Sequence, residues 1–135
     1  MIPIKTVMKT DVITVRPEMP VFEALELLLT NEISGMPVVD AQNHVLGILS
    51  EKDVLEILID PRLDVKRTVE DYMSPHVTSF SEDGDAIEIC QFFIRSNFRR
   101  VPIVKDGKLV GIVSRRDIVN VINEAHSKIS SFRYV

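Results

Sequence analysis

The chain contains no tryptophan, a single cysteine and only 6% aromatic residues among its 135. One thiol, Cys90, closes no internal disulfide and builds no thiolate zinc site, so neither device is expected to hold the fold. Apolar runs stop far short of the ~20 residues that a membrane span requires. No basic stretch followed by an apolar one opens the chain, and a cytoplasmic location is expected. What is present is the composition of a globular domain, 45% hydrophobic and 27% charged, which excludes disorder. A chain of this length buries roughly two thirds of its unfolded surface and needs no covalent staple. The net charge of −4 argues against a general nucleic-acid binder, whose affinity would come from neutralising phosphates.

That charge is unevenly laid out. Residues 1–67 hold 7 Lys and Arg against 11 Asp and Glu, whereas residues 68–135 hold 9 of each. Inside the second half, Arg95, Arg99, Arg100, Lys105, Lys108, Arg115 and Arg116 are opposed locally only by Asp106 and Asp117. A solvated basic face is one reading of such a run, an anion site the other.

An internal repeat organises the chain. At an offset of 65 positions Met8 falls on Met73, Val12 on Val77, Glu23 on Glu88 and Pro37 on Pro102. One residue fewer aligns Gly47, Ile48, Ser50 and Asp53 with Gly111, Ile112, Ser114 and Asp117. Each copy begins with a short extended segment, Val12 to Val15 or Val77 to Phe80. An amphipathic helix follows, with Val21, Ala24, Leu25 and Leu28, or Ala86, Ile89, Cys90 and Phe93, on one face. Pro20 suits the first turn of one such helix, and Asp85 with Glu88 predicts a capping box on the other. Two β-rich runs come next, Met36 to Val39 and Val45 to Leu49, then Val101 to Val104 and Leu109 to Val113. Asp106 and Gly107 predict a two-residue hairpin, since both tolerate positive φ. A second helix starts after Ser50 or Ser114. The fold class is therefore α+β, as tandem β-α-β-β-α repeats. The first unit spans 1–59, a linker 60–68, the second unit 69–124, and a helix end with a loosely held tail 125–135. Units this small are marginal alone, so their sheets are expected to pack face to face as a pseudo-twofold pair, leaving two clefts.

Gly47, Ser50 and Asp53, and again Gly111, Ser114 and Asp117, form two G-h-x-S-x-x-D stretches (h apolar). Each lies about ten residues after Pro37 or Pro102. This arrangement resembles the paired signatures of a CBS domain pair, or Bateman module, over residues 2–124. The resemblance implies a regulatory module that binds adenosine-containing ligands: AMP, ADP, ATP, S-adenosylmethionine or, in some members, dinucleotides.

Two readings of the signature stand side by side. An Asp at a helix N-terminus can accept hydrogen bonds from the vicinal hydroxyls of a ribose, and free helix N–H groups favour a nearby anion. Ser-x-x-Asp is also a capping box that needs no ligand. By resemblance, the first cleft combines Met8, Asp11, Ile13, Ile33 and Ser34 around the base with Ser114 and Asp117 on the ribose and Arg99, Arg100 and Arg116 on phosphate. The second combines Met73, His76, Thr78, Phe98 and Arg99 with Ser34, Ser50, Lys52 and Asp53. Guanidinium forks bind phosphate oxygens bidentately, so the Asp117 cleft is expected to hold AMP, ADP or ATP more tightly.

Other residues carry less. His44, His76 and His126 lack ligand spacing, and no metal site is expected. Cys90 reads as a small hydrophobe, and Met8 and Met73 as core plugs or ligand walls. Glu82, Asp83 and Asp85 lack the rest of a calcium loop and read as helix-start electrostatics. No nucleotide-hydrolase, zinc-protease or nucleophile motif is present, so no catalytic residue is expected. The expected function is an adenine-nucleotide sensor that signals to an effector protein, without a catalytic cofactor and with homodimerisation through helix faces implied by the resemblance. Alternatives are a ligand-free dimerisation module or an RNA- or DNA-binding CBS protein; membrane association is not expected.

Overall fold

The computed structural model describes residues 1–62 and 67–133, with side chains as far as residue 129. The chain runs through a 3-10 turn (Ile4–Thr6), α1 (Val21–Thr30), β1 (Gly35–Val39), β2 (Val45–Ser50), α2 (Glu51–Ile59), α3 (Val69–Tyr72), β3 (Phe80–Ser81), α4 (Ala86–Arg95), β4 (Arg100–Lys105), β5 (Lys108–Ser114) and α5 (Arg115–Arg133). The predicted helices and hairpin strands appear in the predicted order, with two short turns, Ile4–Thr6 and α3, that the repeat pattern does not announce; of the predicted opening strands, however, Val12 to Val15 supplies only an isolated bridge at Val15, and the second copy is a strand only at Phe80–Ser81.

Sequence repeats and packed units divide the chain differently. One compact unit is Asp11–Thr78 with Asp106–Leu109; the other is Met1–Thr10, Ser79–Lys105 and Val110–Val135. The opening ten residues, aligned with the first repeat by offset, thus pack with the second. Ile4 is fully buried there, in a core with Ala86, Ile89, Phe92, Phe93, Val101, Ile103, Val113 and Ile118. Its amide donates to the Gly84 carbonyl, and the Ala86 amide to the Ile2 carbonyl. Correspondingly, Val69, Tyr72 and Met73 join Val15, Ala24, Leu28, Met36, Val38 and Leu49 in the core of the first repeat. Residues 63–66 of the predicted linker lie outside the described residues.

Redividing the chain this way sharpens its charge. Asp11–Thr78 with Asp106–Leu109 carries 6 Lys and Arg against 14 Asp and Glu, and the other unit 10 against 6. A mildly acidic chain is thus built from one strongly acidic unit and one basic unit.

Within each unit the same joints recur. Antiparallel β1 and β2 pair from Gly35 with Ser50 to Val39 with Val45, with a bulge at Val38 and Val39. Val15 adds a parallel bridge to Val38. At the equivalent place Phe80 pairs in parallel with Ile103, inside a sheet ordered β3-β4-β5. Asp106 and Gly107 adopt φ of 52° and 77°, the left-handed pair that a two-residue hairpin requires.

Three expectations change in detail. Asp85 caps α4 by accepting from the Ile87 amide, and its second bond comes from the Ile2 amide instead of a reciprocal box with Glu88. The supposed loose tail continues α5 as helix to Arg133, because nothing between Ser127 and Arg133 is a helix breaker; residues 134 and 135 lie outside the described residues. Glu82 and Asp83 serve less as helix-start charges than as partners of Lys5, at 3.8 and 3.4 Å, with Lys105 also 3.4 Å from Glu82.

Candidate functional site

Both signature stretches fold into helix N-termini of the same design. In α2 the Asp53 amide donates to Ser50 Oγ at 3.2 Å, while Asp53 Oδ2 accepts from the Ser50 amide and hydroxyl at 2.8 and 2.9 Å. In α5 the same three bonds join Ser114 and Asp117 at 3.2, 2.8 and 2.9 Å. The capping reading is therefore correct for both copies, and it consumes one oxygen of each carboxylate. The other oxygen, Oδ1, is where the copies diverge.

Position 47 or 111 has to be glycine for a packing reason. A Cβ on Gly47 would lie 2.7 Å from the Ser74 carbonyl and 3.0 Å from Met73 Sδ; on Gly111 it would lie 2.7 Å from Met8 Sδ and 3.0 Å from the Lys9 carbonyl. Through that gap a short segment pairs with the second strand, Ser74 with Ile48 in one unit and Lys9 with Ile112 in the other. Met8 and Met73 are thus plugs against the signature glycines, which leaves the next residue beside the aspartate. Ser74 Oγ donates to Asp53 Oδ1 at 3.0 Å. Lys9 Nζ stands 3.4 Å from Asp117 Oδ1, with Asp117 only 5% exposed.

Equivalent backbone carbonyls complete each terminus: Ser34 accepts from the Glu51 amide and Arg99 from the Arg115 amide, both at 2.9 Å. In the acidic unit the structure links Ser50, Asp53 and Ser74 in one hydrogen-bonded group, with Ser34 on the adjacent Glu51 amide and Met73 against Gly47. That unit also holds Asp11, Ile13, Ile33, Lys52, His76 and Thr78; Ile13 and Ile33 are half-buried against its core, and Asp11, Lys52, His76 and Thr78 are exposed. The basic unit brings together Arg99, Ser114 and Asp117, with Met8 against Gly111, an exposed Arg116 and a half-buried Arg100. Phe98 is there too, stacked on Phe92 with ring centroids 5.7 Å apart.

The basic run of the second half proves heterogeneous. Lys105 is paired with Glu82. Arg115 turns back on α4: its Nε donates to the Phe98 carbonyl at 2.8 Å, and Nη2 to those of Ser96 at 2.9 Å and Phe93 at 3.4 Å. Its guanidinium also covers the Phe93 ring at 6.0 Å. Sequence reasoning missed two residues, Lys9 and Ser74, and counted Arg115 in the basic run without its carbonyl partners. The repeat offset does place Lys9 on Ser74, beside the paired methionines, but no motif marks either. A separate set including Glu56, Ile59, Asp60, Asp71 and Tyr72 lines a hollow of about 450 Å³, and none of the predicted ligand residues belongs to it. Among the described residues no group of three His, Cys, Asp or Glu could hold a metal ion, and no helix is long and apolar enough to cross a membrane.

Comparison with known proteins follows the same lines. An uncharacterized protein of Methanocaldococcus jannaschii is 29% identical over 89% of this chain, which spans 42% of that relative's length. An uncharacterized 17.7 kDa protein of Acidianus ambivalens is 32% identical over 87% of the chain and 71% of its own length. Among solved structures, CBSX2 in complex with AMP superposes with a TM-score of 0.84 at 25% identity, covering 93% of this chain and 99% of that one. The CBS domain pair of protein MJ0100 in complex with 5′-methylthioadenosine and S-adenosyl-L-methionine gives 0.80 at 26%, covering 90% and 96%. The CBS domain model matches residues 4–60 and again 69–124. With two matched repeats, each folded around its own capped aspartate, the chain belongs to the CBS domain family as a tandem pair.

Proposed function

We propose that the chain is a regulatory module that senses an adenosine-containing nucleotide, with AMP, ADP or ATP its principal ligands, at sites organised by Asp117 and Asp53. One observation carries this reading: at both helix N-termini capping uses only Oδ2, so the second carboxylate oxygen is held only by a side chain, Ser74 or Lys9, that a ribose hydroxyl can share or displace when it donates to that oxygen. Structural relatives solved with AMP and with S-adenosyl-L-methionine support the ligand class. The proposed residues are Met8, Asp11, Ile13, Ile33, Ser34, Arg99, Arg100, Ser114, Arg116 and Asp117 for one ligand. Those for the other are Met73, His76, Thr78, Phe98, Arg99, Ser34, Ser50, Lys52 and Asp53. Arginine at the proposed phosphate positions suits binding of the anion. The module acts in the cytoplasm and passes its state to an effector protein. Exposed Leu29, Leu55, Leu58 and Ile94, each at least 69% accessible, support self-association through helix faces.

A thermal-shift panel of AMP, ADP, ATP, S-adenosylmethionine, NAD and a short RNA tests the reading. A mononucleotide raises the midpoint with a logarithmic dependence on concentration, about 2.7 kcal/mol at a hundredfold excess over Kd. Stabilisation by RNA alone, or by nothing, overturns it. In calorimetric titrations Asp117→Ala and Arg100→Ala weaken AMP binding more than Asp53→Ala does; equal losses remove the proposed ranking of the sites.

A further inference from the structure

The duplicated helix N-termini differ in one chemical respect, the group that meets the carboxylate oxygen left over from capping. At Asp53 it is the Ser74 hydroxyl, at 3.0 Å; at Asp117 it is the Lys9 ammonium, at 3.4 Å. Both stand on the segment that pairs beside the signature glycine, so the backbone frame is common and the side chain is the variable. Resting on the nucleotide-sensor reading, we propose that Lys9 determines the specificity of the Asp117 site. It adds to that site's selection of phosphorylated adenosines over the uncharged nucleoside, a contribution that Ser74 cannot make at the Asp53 site.

Donor and acceptor inventory supports this assignment. Each carboxylate offers about four lone-pair positions, and Oδ2 already receives two donors from its serine. A ribose diol needs acceptors for two O–H donors. Beside Asp53 it finds Oδ1 and the Ser74 oxygen, because a hydroxyl both donates and accepts and rotates to suit. Beside Asp117 it finds Oδ1 next to an ammonium, which has three donors and no acceptor. A neutral nucleoside there competes with Lys9 for Oδ1 and offers the displaced ammonium only hydroxyl oxygens. A phosphorylated one supplies an anion to which the ammonium can transfer. The geometry permits that transfer. The separation of 3.4 Å is longer than a tight charge-assisted hydrogen bond, and the lysine side chain is 66% accessible while Asp117 is held at 5%.

Isothermal titration of AMP and of adenosine into the wild type, Lys9→Ser and Ser74→Lys tests the proposal by exchanging the two side chains. Lys9→Ser lowers the preference for AMP over adenosine by about threefold to fivefold, the range open to an exposed ion pair. Ser74→Lys raises it by a similar factor. Lys9→Met keeps the stem, removes the charge and reproduces the lowered preference. AMP binding with a preference unmoved by any of these changes overturns the role of Lys9 and leaves the nucleotide reading intact. Failure of the wild type to bind AMP or adenosine overturns both.

Discussion

Arg115 and Arg116 show how far neighbouring side chains of one type can part. The backbone turns from β5 into α5 between Ser114 and Arg115, which sends Arg115 across the C-terminal end of α4 and leaves Arg116 exposed. Arg115 satisfies three carbonyls, of Phe93, Ser96 and Phe98, the first two being groups that the end of α4 would otherwise leave to water. Bonds from a charged donor contribute more than neutral ones, and stacking over Phe93 adds to them. Arg115→Ala is therefore expected to lower unfolding free energy by about 2 kcal/mol in urea titrations, and Arg115→Lys to recover little of it because an ammonium lacks the planar fork. Arg116→Ala should stay within about 0.5 kcal/mol of wild type and act on AMP affinity instead. Equal stability losses for Arg115→Ala and Arg116→Ala would contradict this division. Sequence position could not supply it: at the signature offset Arg115 aligns with Glu51, and a lone arginine after a strand looks the same whether it meets a phosphate or a carbonyl.

Elements were legible wherever their signal is local. The 3.6-residue spacing of Val21, Ala24 and Leu28, the Asp106 and Gly107 turn and the serine caps each act over a few residues, and all reappear in the fold. Less legible was α3, four residues long and too short to show periodicity. It nonetheless closes the acidic unit: Val69 is buried, and the Tyr72 hydroxyl donates to Asp60 Oδ2 at 2.6 Å, tying the end of α2 to α3. That bond, helped by the Arg62 amide, lowers the Asp60 carboxyl from 3.8 to about 2, while the carboxylate pushes the Tyr72 phenol upward. A depressed carboxyl contributes stability that is fully present above its unfolded value and is lost as pH falls through its folded one. The contribution of the bond is thus constant from neutrality to about pH 5 and is lost progressively below that, as the unfolded and then the folded carboxyl is protonated. Urea midpoints of Tyr72→Phe should fall below wild type by a fixed amount at pH 5 to 7 and converge on it in acid. A gap that does not change with pH would show that the phenol contributes packing alone.

At the scale of the molecule, the division into packed units is the feature that periodicity could not reveal. Offset alignment correctly pairs Met8 with Met73 but says nothing about which core each segment enters. That is settled by pairing across the chain, Pro3 with Asp85 and Lys9 with Ile112 in one unit, Ile48 with Ser74 in the other. Each repeat therefore receives the segment that precedes the other repeat, and the charge asymmetry and the Lys9 contact both follow from this exchange. The consequence is testable in energetic coupling. Ile4 belongs to the core that contains Ile103, while Met36 lies in the other. Ile4→Ala should cost about 2 to 5 kcal/mol, as a fully buried aliphatic does. Combined with Ile103→Val, its effect should depart from the sum of the single losses by about 0.5 kcal/mol or more; combined with Met36→Leu, it should add within about that margin. Chemical denaturation of the three single and two double variants measures both cycles. Coupling of Ile4 to Met36 and none to Ile103 would return the opening segment to the first repeat, and with it Lys9 to a place where it could not meet Asp117.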